Sequence, residues 1–215
     1  MKPDGGLRTA VNQIARITAR MARVPHPGDG PHRDVASAPA ELAARFAERL
    51  DFLRAPGDDE PSVIRVATTQ DAIASLARLC EPLPRQEIRL PEDADASPRD
   101  WKLGITPAWA LVADTGSVVV EIPNAAAAFA SLLVEQHCVV AGVDQLVPDL
   151  AELYRRLDPT TTDVPARNLV CITGCSRTAD IEKLLVVPAH GPRQVRVVLC
   201  DEPVNWPILR NAIAP

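Results

Sequence analysis

The segment Asn168–Glu202 holds the densest collection of residues able to do chemistry. Thr173-Gly174-Cys175-Ser176-Arg177-Thr178-Ala179-Asp180 follows an apolar run, and His190-Gly191-Pro192 precedes another. The pattern reads as a buried strand, a small-residue turn, a short helix, a second turn and a second buried strand. In an open α/β fold, the turn after a strand and the first turn of the next helix present backbone N–H groups to anions. Gly174 permits a tight turn or close approach of a ligand. Ser176 and Arg177 would add donors for a carboxylate or phosphate. The same residues also have a purely architectural reading. Thr178 would cap the helix, and Asp180 would sit in its first turn, where the helix dipole favours a carboxylate.

Other groups extend the list of candidates. His190 has the side chain to hydrogen-bond a carboxylate or to act as acid or base near neutral pH, or to pin its turn through backbone carbonyls. Cys175 stands near the expected helix terminus, where a thiol's pKa is lowered. A covalent role would need His190, the one base candidate in the segment, and filling a small-residue position is the simpler expectation. Asp114-Thr115-Gly116 lies between two apolar runs. It is either a turn with an Asx-type hydrogen bond or a hairpin tip that reaches the same cleft. His137 is expected to be structural, and His26 and His32 to be solvated.

The composition narrows the function classes. The 215 residues suffice for one domain with a substantial core plus an arm. Aromatics are 3%, so the core must be aliphatic. The net charge is −5, lysine occurs only at Lys2, Lys102 and Lys183, and no stacking platform is visible; nucleic-acid binding is disfavoured. No apolar run approaches the ~18 residues of a membrane span. The five cysteines, Cys80, Cys138, Cys171, Cys175 and Cys200, contain no C-x-x-C pair. A disulfide framework, a zinc site and an iron–sulfur run are therefore not expected. The reading is of a cytoplasmic chain with no metal or cofactor of its own.

The elements that must position these residues follow from periodicity. Residues 1–39 are expected to form an amphipathic helix over 7–24 and a Pro/Gly-rich linker. Residues 40–215 are expected to form one α/β domain. It would hold helices over 40–54, 69–79, 125–135 and 145–157, and strands over 63–67, 87–90 and 139–143. Thr68 or Thr69 would cap the second of these helices. Ile105–Ile122 reads as a hairpin, with Trp109–Asp114 and Ser117–Ile122 as its strands. Several strands are apolar throughout, the mark of an open, mostly parallel sheet flanked by helices.

On these motifs the chain resembles the LUD-domain proteins, and within them the lactate-utilization protein C (LutC/YkgG) group. The resemblance spans the N-terminal residues 12–25, the helix over 41–50, Gly104-Ile105-Thr106, Asp114-Thr115-Gly116 and, most specifically, residues 173–182 followed by His190-Gly191-Pro192. It implies a fold similar to the NagB/RpiA/CoA-transferase-like class. It also implies an accessory or subunit role in bacterial oxidation of L-lactate to pyruvate, beside iron–sulfur partner proteins that hold the redox centres. The chain departs from the pattern at Cys175 for proline, Asp114 for glutamate, Ala128 for arginine, Val134 for proline and Pro188 for glycine. These departures mark a divergent member. Two alternatives stay open: an anion- or CoA-ester-utilising enzyme of the isomerase or transferase class, and a non-catalytic scaffold with a decayed site. Ligand identity and homo-oligomer formation also stay open.

Overall fold

A computed structural model of the chain describes residues 38–55, 57–93, 101–157, 167–175, 178–179, 185–186 and 191–213. The expected N-terminal helix and linker lie almost wholly outside the described residues. So do Ser176, Arg177, Asp180 and His190.

The first helix, α1 (Pro39–Phe52), opens with proline at its N-terminus, where the missing N–H costs nothing. It buries Ala43, Phe46 and Leu50 on one stripe. Strand β1 (Val63–Val66) leads into α2 (Thr69–Cys80). The Thr68 side chain accepts from the Asp71 N–H, and Asp71 reaches back to the Thr68 N–H. This reciprocal capping box satisfies two donors that the helix cannot. Strands β2 (Ile88–Arg89) and β3 (Leu103–Pro107) follow, then β4 (Ala110–Val112) and β5 (Ser117–Glu121). Helix α3 (Ala125–Leu132) is capped by Asn124 and leads to β6 (Gln136–Gly142). After a 3-10 turn come β7 (Leu146–Val147) and α4 (Leu150–Leu157). The remaining elements are β8 (Leu169–Ile172), β9 (Thr178–Ala179), β10 (Leu185–Val186), β11 (Gln194–Cys200) and α5 (Trp206–Ile213).

The strands form three sheets. A parallel sheet of five strands has the order β1-β11-β6-β3-β2. Its two central strands, β6 and β11, pair along seven residues and are buried from their second residue onward. A smaller mixed sheet has the order β7-β4-β5-β8, and β9 and β10 form an antiparallel ribbon. The large sheet is covered on both faces. Cys138, Val140 and Val198 pack with Leu76 of α2 and Leu209 of α5. Val139, Ala141, Val195 and Val197 pack with Phe46 and Leu50 of α1 and with Val118 and Val120 of the small sheet. Two-sided cover explains why Cys138–Ala141 and Val197–Cys200 are continuously apolar rather than alternating. Among the described residues, no helix is long and apolar enough to cross a membrane.

The open, mostly parallel, helix-flanked sheet is as expected; several details differ. No helix begins at Thr178, because Thr178–Ala179 is a strand paired with Leu185–Val186. Threonine suits a strand as readily as a cap, and the competing pairing is non-local. The strand before Thr173 is not a buried strand of the parallel sheet. It is half-buried, exposes Cys171 and pairs antiparallel with β5. Ile105 belongs to β3, a separate strand of the large sheet and not part of the hairpin. The helix expected over 145–157 starts at Leu150, since Pro148 disfavours helical geometry in the residue before it. Leu146 instead pairs as a strand residue with Leu111.

Candidate functional site

Two turns meet at the C-terminal half of α1. The first, Asp114–Gly116, closes the β4–β5 hairpin. The second, Thr173–Cys175, follows β8. The register of β5 against β8 pairs Val118 with Ile172, so Ser117 and Thr173 come side by side one step further on. Ser117 Oγ lies 2.7 Å from Thr173 Oγ1 and 2.7 Å from Thr115 Oγ1. Three hydroxyls thus form a row across the two turns. Ser117 is buried at 1% exposure, Thr115 is half-buried and Thr173 is exposed.

Both turns need glycine where they touch α1. Gly116 has φ +65°, and a Cβ there would lie 2.6 Å from the Leu50 nitrogen. Gly174 has φ +75°, and its Cβ would lie 2.6 Å from the Leu53 Cβ. Left-handed backbone and absence of space coincide at each, so only glycine fits without strain. The buried Cys175 thiol donates to the Leu53 carbonyl at 3.3 Å. Arg45 of α1 donates from Nη1 to Asp114 Oδ1 at 2.6 Å in a partly exposed ion pair. Helix α1 is therefore the platform on which the two turns are set, held in turn by Phe46 and Leu50 in the core. A narrow crevice with no room for a water molecule runs beside it, lined by Leu50, Leu53, Gly174, Cys175, Gln194 and Val195.

Five sequence-predicted residues, Asp114, Thr115, Gly116, Thr173 and Gly174, are thus brought to one place. Gly191, with φ +89°, sits just before β11, whose first residues Gln194 and Val195 reach the crevice from the other side. Thr178 lies in the ribbon. Ser176, Arg177, Asp180 and His190 lie outside the described residues. No described helix start stands at Thr178, so the anion-cradling argument from a helix terminus does not hold there. Ala128, where the resembled pattern carries arginine, is half-buried and packs against the core.

Sequence reasoning missed Arg45 and Ser117 as site residues. Arg45 is one polar position on an amphipathic helix, 69 residues from its partner, and nothing local marks it. Ser117 carried a signal: it is the polar residue that opens the otherwise apolar run Val118–Val120.

His137 is structural on this geometry. It is fully buried in β6, with Nε2 2.8 Å from Thr106 Oγ1 and no partner at Nδ1. Burial holds the neutral imidazole and pushes its pKa down to about 3. Among the described residues, no group of three or more His, Cys, Asp or Glu side chains is placed to hold a metal ion.

Comparison with known proteins accords with this architecture. The fold is similar to the crystal structure of a DUF162 family protein from Deinococcus radiodurans, with a TM-score of 0.52 over 76% of this chain and 99% of that one. The two are 17% identical, which speaks for the fold alone. Among curated proteins, none matches. The family model for the LUD domain matches residues 92–200, which take in β3 to β11, both turns of the hydroxyl row and the two central strands. With slightly more than half of its length covered by that model, the chain belongs to the LUD-domain family.

Proposed function

We propose that this LUD-domain chain is an accessory or subunit protein of L-lactate oxidation to pyruvate. It holds a small carboxylate at the junction of its two site turns and leaves electron transfer to iron–sulfur partner proteins. The observation that carries the reading is the convergence of Asp114-Thr115-Gly116 and Thr173-Gly174 on α1, with the hydroxyl row between them. A row of hydroxyls ending at an exposed threonine offers hydrogen bonds to a small oxygen-rich ligand. Arg177 and His190 complete the proposed ligand set, following the resemblance of residues 173–182 and 190–192 to the lactate-utilization group.

A second reading, a non-catalytic scaffold, has its own support. Asp114 is engaged by Arg45, and apolar side chains of α1 line the crevice beside Gly174. Genetics separates the two. Deleting the gene from its host is expected to abolish growth on L-lactate as sole carbon source and to leave growth on pyruvate intact. Wild-type chain is expected to restore growth, and the Arg177→Ala and Thr173→Val variants are not. Restoration by both variants favours the scaffold, and undiminished growth of the deletion strain on lactate overturns the lactate assignment altogether.

A further inference from the structure

We propose that the free edge of β8 binds the same edge of a second copy of this chain. The two strands pair antiparallel, centred on Cys171, and join two four-stranded sheets into one.

Strand β8 closes one side of the small sheet, and among the described residues no strand lies beyond it. The direction of its free groups follows from one hydrogen bond. The Ile122 N–H donates to the Asn168 carbonyl at 2.8 Å, in line with the register that pairs Glu121 with Leu169. Backbone groups alternate in direction along an antiparallel strand. Val170 and Ile172 therefore turn their N–H and C=O groups to β5, and Leu169 and Cys171 turn theirs to the open edge. Such a row is a template for another strand unless something guards it. The other edges of the two larger sheets are guarded. Strand β7 has two residues and runs into Pro148, β1 carries Arg65, and β2 has two buried residues, one of them Arg89. Strand β8 has four residues, Leu-Val-Cys-Ile, with no charge and no proline. Beside the end of this edge stands Phe52, at 81% the most exposed large apolar side chain among the described residues. It adjoins Leu53, on which Gly174 packs.

The occupant follows from the strand's own sequence. A twofold pair needs a surface that matches itself, and an uncharged strand meets its copy without opposing like charges. Opposite residues of an antiparallel pair share a face of the sheet. Val170 and Ile172 pack on the core, whereas Cys171 is exposed on the other face. A centre midway between Val170 and Cys171 would set a core-facing residue against an exposed one, so the twofold axis passes at a residue. A centre at Val170 sets Ile172 opposite Asn168. A centre at Cys171 sets Val170 opposite Ile172, apolar against apolar on both sides of the axis. It also lets the outward N–H and C=O of each Cys171 bond the other. An edge contact of this length is small, so the pair is expected to be reversible.

The test is sedimentation equilibrium of the full-length chain over a range of concentrations. Wild-type chain is expected to pass from monomer to dimer as concentration rises. Cys171→Lys and Cys171→Glu put like charges across the axis at an exposed position. Each is expected to weaken the dimer by about fivefold or more. An equimolar mixture of the two variants sets opposite charges face to face and is expected to recover the dimer. Circular dichroism of each variant serves as the folding control. Three results overturn the proposal: wild-type chain that stays monomeric at its highest soluble concentration, a dimer that both variants keep, or a mixture no more associated than the separate variants.

Discussion

Ser117 and Thr173, 56 residues apart in sequence, stand hydroxyl to hydroxyl at 2.7 Å because β5 and β8 pair antiparallel up to Val118 and Ile172 beside them. The strand register, not the turns themselves, fixes this relationship. A one-residue slip of β8 would send Thr173 to the opposite face and would also expose Val170 and Ile172, which pack on the core. The site geometry is thus enforced by apolar burial on the other side of the same strand.

The two turn glycines make the first prediction. Gly116→Ala and Gly174→Ala each force a Cβ into α1 at a left-handed position. Each is expected to cost about 2 kcal/mol or more in denaturant unfolding. Gly57→Ala is the control. It has φ +84° but nothing within 4 Å, so it should carry the backbone term alone and cost less.

The Arg45–Asp114 pair makes the second. With the two side chains 26% and 43% exposed, solvent screens their attraction. A double-mutant cycle with Arg45→Ala and Asp114→Ala is expected to give a coupling of less than about 1 kcal/mol, falling further as salt is raised. A larger coupling that resists salt would mean that the pair is better shielded than this geometry shows.

Acid sensitivity makes the third. The folded state holds His137 neutral down to about pH 3, whereas the unfolded chain protonates it near its ordinary 6.5. Above 6.5 both states carry a neutral ring and there is no linkage. Below it the unfolded state alone binds the proton, so stability falls as pH drops from 6.5 toward 3, by about 1.4 kcal/mol per unit. Urea unfolding at pH 7.5 and pH 5 is expected to show the loss in wild-type protein and a reduced loss in His137→Gln. Equal slopes in the two proteins would remove His137 as the cause.

Thiol chemistry makes the fourth. Cys171 is exposed on β8, Cys80 is half-buried, and Cys138, Cys175 and Cys200 are buried. Burial also pushes the Cys138 thiol up to about 12. Alkylation of the native protein followed by peptide mass analysis is expected to label Cys171 first and Cys80 more slowly. The other three should react only in denaturant. Early labelling of Cys175 would contradict its seat against the Leu53 carbonyl.

The legible parts of the fold were those written locally. The Thr68 cap with Asp71 three residues on, the apolar hairpin strands and the valine-rich apolar runs of β6 and β11 each carry their own signal. Helix α5 also carried one that went unread: Asn205 precedes it, Pro207 sits in its first turn, and the Ile208 N–H donates to Asn205 Oδ1. What stayed hidden was set by pairing at a distance. Thr178 has the look of a helix cap, yet Leu185 and Val186 recruit it into a ribbon. Arg45 has the look of a solvated helix position, yet Asp114 lies beneath it. In the same way, the convergence of the two turns was expected only as a general habit of the fold; its surface on α1 could not be read from either turn.

The pairing of β6 with β11 has a consequence for how the molecule opens. Both strands are inner strands of the large sheet, bonded on each edge and roofed on each face, whereas β8 is bonded to β5 and half-buried. Protection of amide protons from exchange follows such differences. The central amides should exchange only when the whole chain unfolds, and those of β8 should exchange through a smaller, cheaper fluctuation. Thr173 follows that less buried strand while Thr115 and Ser117 belong to the buried hairpin, so the hydroxyl row is expected to span the boundary between a slower-exchanging and a faster-exchanging part of the chain.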